Sequence, residues 1–203
     1  MSRIIAGISG GTPLASVPGS GTRPTTDRVK EALFSRLEAL GMIARARVLD
    51  LYAGSGALGV EAASRGASTV ELVETDAKAV GVCQRNARTV NDAVGRRAVT
   101  VHRSKVQGFL EKTLEGQHWD LVFLDPPYDL AEASLAAVLE ALAPHLAPDA
   151  VVVVERSSRS AEPAWPEGLG LLSERKYGET RLWFAEPVAG DRGASDPDAT
   201  VEA

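Results

Sequence analysis

The sequence predicts one doubly wound α/β domain whose parallel sheet ends in an antiparallel hairpin. The chain has 203 residues, enough for one such domain with its own core. From residue 47 onward, apolar strand-like runs alternate with helical patterns, as they do when helices cover both faces of a parallel sheet. After the fifth of these strands, two strand patterns follow each other with only a turn at Gly178-Glu179 between them, which indicates the closing hairpin.

Each element has its own signal in the sequence. The strand patterns are unbroken or alternating apolar runs, and the helix patterns repeat apolar residues at a spacing of three or four. Strands are predicted at residues 47–52, 69–74, 98–102, 120–125 and 150–155, with hairpin strands at 169–177 and 180–185. Helices are predicted at residues 57–65, 77–91, 105–114 and 132–143.

A short extension precedes this domain. Two strands at residues 3–8 and 12–17 are predicted to form a β-hairpin around Gly10-Gly11, and a loop rich in glycine and proline leads to a helix at 26–40. We therefore divide the chain into an N-terminal hairpin and loop, a main domain and a disordered acidic tail, with the boundaries 1–24, 25–187 and 188–203.

Composition excludes several classes of protein. No apolar run approaches the length of a membrane span, and the N-terminus lacks the apolar stretch of a secretory signal. Cys83 is the only cysteine, so an intramolecular disulfide is impossible, and a cytoplasmic location is expected. No cluster of Cys and His has zinc-ligand spacing, and no metal is expected.

The formal net charge is −5, but the charge is unevenly distributed, with a basic N-terminal region and an acidic C-terminal tail. Residues 1–30 carry four basic side chains against Asp27, whereas residues 191–203 carry four acidic side chains against Arg192. The basic residues could contact the phosphates of a nucleic acid, although a capped helix with a solvated charged face explains part of the same pattern. The candidate residues for such contacts are Arg3, Arg23, Arg28 and Lys30.

A glycine-rich loop after the first strand of the sheet predicts a nucleoside-cofactor site. Glycines permit a sharp turn and close approach of a ligand, and the following helix offers unpaired N–H groups. Glu74 ends the next strand, where a carboxylate can accept hydrogen bonds from both ribose hydroxyls. The loop also fits an NAD site, but an acid at Asp50 suits the ammonium group of S-adenosylmethionine better than a pyrophosphate. The residues assigned here are Asp50, Gly54, Ser55, Gly56 and Glu74.

The tetrapeptide Asp125-Pro126-Pro127-Tyr128 ends the fourth strand and is the candidate catalytic segment. The Asp125 carboxylate and the Pro126 carbonyl are two acceptors that can bind both hydrogens of an exocyclic amine and leave its lone pair facing a methyl donor. Tyr128 offers an aromatic face on which an unstacked base can lie. The structural alternative is an Asp-Pro loop that closes a strand, with the tyrosine in the core. Cys83 is predicted to lie in mid-helix, away from the crevice, which makes it a poor nucleophile.

Together these segments resemble the ribosomal small-subunit methyltransferase D family, the 16S ribosomal RNA guanine-N2 methyltransferases. The likeness covers about residues 3–185. The matching stretches are RIIAG, RPTTDRVKEALF, VLDLYAGSGALGVEAASRGA, VELVETD, LDPPY and KYGETRLW.

The resemblance implies a monomeric class I S-adenosylmethionine-dependent methyltransferase with a Rossmann-like fold. It implies as target a guanine of 16S ribosomal RNA, either free or in a small-subunit assembly intermediate. Related enzymes often carry an acid after the third strand to hold the adenine amino group, whereas this chain reads His102-Arg103-Ser104, and Ser104 is the candidate at that position.

Other functions remain open on the sequence alone. A DNA adenine-N6 methyltransferase can carry the same tetrapeptide, although no second domain for reading DNA sequence is visible. A protein-glutamine methyltransferase usually has Asn at the position of Asp125. The remaining alternatives are an NAD oxidoreductase and a non-catalytic RNA-binding protein that has kept the fold.

Overall fold

The computed structural model describes residues 2–18 and 27–188. Five α-helices lie in these ranges: α1 (Asp27–Ala39), α2 (Ala57–Ser64), α3 (Ala77–Val94), α4 (Val106–Leu110) and α5 (Glu132–Leu142), which a 3-10 turn (Ala143–His145) extends. The same ranges contain seven strands: β1 (Arg47–Leu51), β2 (Thr69–Glu74), β3 (Val99–Arg103), β4 (Trp119–Leu124), β5 (Leu146–Ser157), β6 (Leu169–Tyr177) and β7 (Thr180–Pro187).

The seven strands form one sheet in the order β3-β2-β1-β4-β5-β7-β6. Strands β1 to β5 are parallel, whereas β7 runs antiparallel to both β5 and β6. The predicted doubly wound sheet with a closing hairpin is therefore confirmed. The chain moves outward from β1 to β3 and then returns to the other side of β1 with β4, so a crevice opens at the carboxyl ends of β1 and β4.

Two apolar cores sandwich the sheet because neighbouring residues of each strand face opposite sides. In β1, Val48 belongs to the core beneath α1, α2 and α3, whereas Leu49 and Leu51 belong to the core beneath α4 and α5. All three side chains are fully buried. The helices thus clamp β1 from both sides and hold its carboxyl end in place.

Two elements differ from their predicted bounds by four residues at one end. Helix α4 ends at Leu110, four residues early, because Lys112 and Thr113 donate their backbone N–H groups three residues back and tighten the chain into turns. Strand β5 begins at Leu146, four residues before the predicted start, and a bulge opposite Trp119 and Leu121 accommodates the extra residues.

The N-terminal hairpin is present but is reduced to a single antiparallel bridge between Arg3 and Pro13, without the two predicted strands. Its turn packs tightly on α2: a Cβ atom on Gly7 would lie 2.0 Å from the Ser64 carbonyl oxygen. Ile4 and Leu14 are buried in the main core. Residues 2–18 therefore form part of the folded body, while the predicted boundary between residues 24 and 25 lies outside the described residues.

Glu61 on α2 organises this packing from inside the protein. Its carboxylate is fully buried and accepts the backbone N–H groups of Ile5 at 2.7 Å and Ala6 at 3.0 Å. It also pairs with Arg65 at 2.7 Å and with Lys30 at 3.7 Å. These partners stabilise the buried charge, which would otherwise be costly to desolvate.

Lys30 is too deeply buried to bind a phosphate, so its predicted role in RNA binding is wrong. Its side chain is only 1% exposed, lies between Glu61 and Asp27, and donates to the carbonyl of Arg3. Burial lowers the pKa of Lys30, while the nearby carboxylates oppose that shift. The residue therefore ties α1 to the N-terminal segment.

Within residues 2–18 and 27–188, no helix is long and apolar enough to cross a membrane.

Candidate active site

The glycine loop leaves β1 in a conformation that few residues adopt. Gly54 and Gly56 have φ angles of 57° and 76°, and Tyr52, a non-glycine residue, has a φ of 61°. Left-handed backbone at a non-glycine residue is strained and recurs at functional sites. The strain at Tyr52 was not predicted from the sequence, because no residue pattern marks it.

Glu74 fastens this loop to the end of β2. One carboxylate oxygen accepts the backbone N–H of Gly54 at 2.8 Å, and the other accepts the N–H groups of Thr75 at 2.7 Å and Asp76 at 2.8 Å. A carboxylate has about four acceptor positions, so Glu74 retains capacity for a ligand hydroxyl. The residue predicted to hold the ribose therefore also shapes the loop beside it.

Asp50 lies beneath the glycine loop, deeper in the protein than its predicted role requires. Its side chain is 2% exposed and accepts the backbone N–H of Gly59 at 2.9 Å, in the first turn of α2. Burial, with a contribution from the negative charge of Glu74, raises the pKa of Asp50 to about 7, although the Gly59 bond opposes the shift. The predicted direct contact with an ammonium group is therefore replaced by a role beneath the loop, where Asp50 holds the start of α2.

Gly59 allows α2 to lie this close to the sheet. A Cβ atom there would lie 2.2 Å from the side chain of Leu72 and 2.9 Å from that of Val70. The third glycine of the loop sequence is thus required for packing of the helix on β2, and its role is not ligand contact.

A cavity of about 460 Å³ opens beside Glu74 at the carboxyl ends of β1, β2 and β3. Ser104, the candidate residue for contact with the adenine, lines this cavity together with Glu74. Residues not predicted from sequence complete the walls, among them Tyr52, Val106, Gln107 and Val138. Its mostly apolar walls with a few convergent polar groups are typical of a site for a small ligand.

Cys83 lies directly under the glycine loop, where its thiol contacts the Gly54 carbonyl oxygen at 3.1 Å. Its predicted position in mid-helix is correct, but its predicted distance from the crevice is wrong. Burial and the charges of Asp50 and Glu74 raise the pKa of the Cys83 thiol far above its usual range, so the thiolate nucleophile does not form. Cys83 is therefore excluded as a nucleophile by the raised pKa of its thiol, and not by distance from the crevice.

Asn86, on the same helix, connects the loop to the N-terminal segment. Its amide nitrogen donates to the Ser55 carbonyl at 2.9 Å and to the Ala15 carbonyl at 3.1 Å, and its oxygen accepts the Ala15 N–H at 2.9 Å. Asn86 is 3% exposed, so these bonds are sheltered from water. Ser55 is thus held through its backbone.

The tetrapeptide leaves β4 next to the glycine loop, with Tyr128 projecting at 65% exposure. Asp125 is exposed as a residue, although protein atoms surround most of its carboxyl group. This crowding, together with the charges of Glu155 and Asp50, holds the pKa of Asp125 well above its usual range. Pro126 is buried and Pro127 is exposed, so the segment bends outward at the two prolines.

Arg156 anchors the tetrapeptide loop from the neighbouring strand β5. Its buried guanidinium donates to the Leu130 carbonyl at 3.1 Å and to the Glu132 carboxylate at 2.5 Å, and it approaches the Pro127 carbonyl at 3.5 Å. The planar fork of an arginine can satisfy several acceptors at once, which a lysine cannot do. This role of Arg156 was not predicted from the sequence, because the residue lies 24 positions beyond Glu132, the nearest of these acceptors along the chain.

The candidate RNA-binding residues are not equivalent. The side chain of Arg3 is 63% exposed and pairs loosely with Asp27 at 3.7 Å, and Arg28 is exposed on α1. Arg23 lies outside the described residues, and Lys30 is buried as described above. Among the described residues, no group of three or more metal-ligating side chains is positioned to hold a metal ion.

The chain is similar to known proteins along most of its length. Residues 2–186 match the family model described as Conserved hypothetical protein 95. The chain is 36% identical, over 87% of its length and 89% of the other protein, to the ribosomal RNA small subunit methyltransferase D of Haemophilus influenzae.

Solved structures show the same fold. One, named "Putative methyltransferase yhhF from Escherichia coli", aligns over 93% of this chain and 98% of its own with a TM-score of 0.77 and 32% identity. A second is a magnesium protoporphyrin IX methyltransferase from Synechocystis PCC 6803 with bound S-adenosylmethionine. It aligns over 79% of each chain with a TM-score of 0.62, and at 18% identity this likeness concerns the fold alone.

Proposed function

Because this chain belongs to the ribosomal RNA small subunit methyltransferase D family and is an S-adenosylmethionine-dependent methyltransferase, we propose that it methylates the exocyclic N2 amine of a guanine in 16S ribosomal RNA. The observation that carries the proposal is the adjacency of two loops. Strands β1 and β4 pair with Leu51 opposite Leu124, so the glycine loop and the tetrapeptide leave the sheet side by side.

The charges of the crevice suit this cofactor. Asp50 and Asp125 have raised pKa values because each is crowded by protein and lies near another carboxyl group. A cationic cofactor above the loop would lessen that repulsion from a distance, without direct contact with Asp50, whereas the pyrophosphate of a dinucleotide would add to it. The cavity beside Glu74 and Ser104 supplies a largely apolar wall for the adenosine.

S-adenosylmethionine supplies an electrophilic methyl group on a positively charged sulfur. The Asp125 carboxylate and the Pro126 carbonyl accept the two hydrogens of the N2 amine and turn its lone pair toward that methyl. A nitrogen–carbon bond then forms as the carbon–sulfur bond breaks, its electron pair stays on sulfur, and the amine releases one proton to Asp125 or water. Tyr128 stacks on the base, which has to leave its helix to reach the crevice.

The partner in this proposal is 16S ribosomal RNA, free or in a small-subunit assembly intermediate, and the enzyme acts as a cytoplasmic monomer. The exposed side chains of Arg3 and Arg28, with Arg23, would contact phosphates. Shape and the pocket for the unstacked guanine would then supply specificity.

The test is mass mapping of modified bases in 16S ribosomal RNA from cells with and without this chain, followed by methylation of the unmodified RNA with purified protein. We expect one N2-methylguanine to disappear without the chain and to return in the reaction. An unchanged RNA together with loss of N6-methyladenine from DNA would instead support the DNA adenine-N6 alternative.

A further inference from the structure

We propose that Glu155 on β5 selects guanine by accepting the N1–H hydrogen of the base whose N2 amine faces Asp125. This inference rests on the proposed function, since it concerns how the same crevice distinguishes one purine from another. Glu155 is a specificity-determining residue in this account, whereas Asp125 and Pro126 orient the reacting nitrogen.

The position of Glu155 follows from the register of two parallel strands. Leu124 on β4 pairs with Val154 on β5, so Asp125 and Glu155 follow at the same level of the sheet. Register neighbours in a parallel sheet face the same side. Asp125 and Glu155 accordingly line one narrow cleft, and the charge of Glu155 contributes to the raised pKa of Asp125.

The cleft is suited to the edge of a base. Its cavity is about 10 Å³, too small to enclose a purine ring. A base edge that presents hydrogen-bond donors would instead meet the two carboxyl groups at the mouth of the cleft, with its ring against the exposed Tyr128. Recognition of an unstacked base through its Watson–Crick edge is common among enzymes that modify RNA.

The chemistry of that edge separates guanine from other purines. Guanine presents N1–H beside its N2 amine, so two adjacent groups donate hydrogens. Adenine carries an unprotonated N1 whose lone pair would face the carboxylate and be repelled. An ionised carboxylate accepts hydrogen bonds but has no hydrogen to donate. A site that places one opposite N1 therefore rejects a base without a hydrogen at N1.

Other polar residues of the cleft do not make this distinction. Ser157 and Ser160 carry hydroxyl groups, which can either donate or accept and therefore fit both kinds of N1. The guanidinium of Arg156 donates to the loop at Leu130 and Glu132. Apart from Asp125, Glu155 is thus the residue of the cleft that binds only a base with a hydrogen at N1.

The test replaces the mapped target guanine of a 16S ribosomal RNA fragment by 2-aminopurine, introduced by ligating a synthetic oligonucleotide. This base keeps the amine at position 2 but has a lone pair at N1. We expect wild-type protein to methylate guanine about 10- to 100-fold faster than 2-aminopurine, the effect of one charge-assisted hydrogen bond. Glu155→Gln should narrow that ratio at least about 10-fold, because an amide can also donate to N1.

Two measurements keep the outcomes apart. S-adenosylmethionine affinity, measured by calorimetry, should be unchanged in Glu155→Gln, and Glu140→Gln, an exposed site on α5, should leave the base preference unchanged. Equal rates on the two bases with wild-type protein, or the same ratio in Glu155→Gln, would overturn the role of Glu155. Failure of wild-type protein to methylate the guanine RNA at all would instead refute the proposed function.

Discussion

Glu74 accepts the backbone N–H of Gly54 at 2.8 Å, so the acid that ends β2 holds the loop that follows β1. Its second oxygen binds the N–H groups of Thr75 and Asp76, which fixes the carboxylate itself. The loop is therefore already ordered before a ligand binds, so binding loses less conformational entropy.

Removal of that carboxylate should weaken cofactor binding. Glu74→Ala is expected to reduce the binding free energy of S-adenosylmethionine by about 1–3 kcal/mol, because both the ribose and the Gly54 N–H lose a charged acceptor. Gly54→Val should be at least as harmful, since a φ of 57° strains a β-branched residue even though an added Cβ would only touch the Tyr52 carbonyl oxygen, at 4.0 Å. Calorimetric titration measures both, and unchanged affinity in the two variants would contradict the assignment.

The stability of the ligand-free protein should depend on pH through Asp50. Its pKa is about 7 when folded, above the ordinary value of 3.8, so the folded state binds the proton more tightly than the unfolded chain. The free energy of unfolding should fall as pH rises from about 4 to about 7, and Asp50→Asn should remove that loss. Thermal melts at pH 5 and pH 8 measure the effect, which should be largest at pH 8.

Asp120 provides a control of opposite sign for this prediction. A hydrogen-bonded pair with Arg47 at 2.8 Å lowers the pKa of Asp120, so its contribution to stability is present at neutral pH and is lost in acid. Asp120→Asn should therefore destabilise the protein at pH 8, although modestly because the pair is partly exposed. If Asp50→Asn also destabilises the protein at pH 8, as Asp120→Asn does, then the pKa of Asp50 is not raised in the folded protein.

The catalytic segment should separate turnover from cofactor binding. Asp125→Ala is expected to abolish most turnover while the affinity for S-adenosylmethionine stays nearly constant, because the carboxylate holds the amine. Tyr128→Ala should lose about 1–3 kcal/mol of stacking, and Tyr128→Phe should largely retain it. Steady-state kinetics on the RNA measure these effects. Loss of activity in a folded Cys83→Ala protein would contradict direct transfer.

Arg156 should act through the position of the tetrapeptide loop. Arg156→Lys keeps the positive charge but cannot reach the Leu130 carbonyl and the Glu132 carboxylate together, so we expect kcat to fall roughly 10- to 100-fold through misplacement of the loop. Cofactor affinity should not change. Arg159→Lys, an exposed site two residues beyond the end of β5, is the matched control, and an equal effect there would argue against a specific anchor.

RNA binding should lose salt dependence when arginines near the N-terminus are removed. Arg23→Ala combined with Arg28→Ala should weaken RNA binding and reduce the slope of log affinity against log salt by about 0.7 for each lost contact with single-stranded RNA. Filter binding at several salt concentrations measures the slope. Arg175→Ala on β6 should leave it unchanged, and an identical slope in the double variant would exclude these residues as the RNA contact.

The sequence predicted the candidate site where local pattern and strand direction suffice. Glu74 and Asp125 follow apolar runs, and the carboxyl ends of parallel strands meet at one edge, so their proximity follows from the order of the chain. The glycine loop was equally visible, because glycine is required where φ is positive.

Features that depend on distant partners could not be predicted in this way. Lys30 lies in a run of charged residues and looks solvated, but it is buried because Glu61, thirty-one positions later, faces it across the packed helices. Arg156 looks like an ordinary residue near a strand end until the loop between β4 and α5 folds over it. The depth of Asp50 likewise depends on how closely Gly59 lets α2 approach.

The bonds of Asn86 impose a constraint on natural variation at that site. Its nitrogen faces the carbonyl oxygens of Ser55 and Ala15, and its oxygen faces the Ala15 N–H. Aspartate would match only the last of these, leaving two buried carbonyls opposite a negative charge, and a shorter side chain would reach neither segment. A substitution at Asn86 therefore has to satisfy the backbone of the N-terminal segment as well as that of the cofactor loop. We expect sequence changes in these two regions to be correlated.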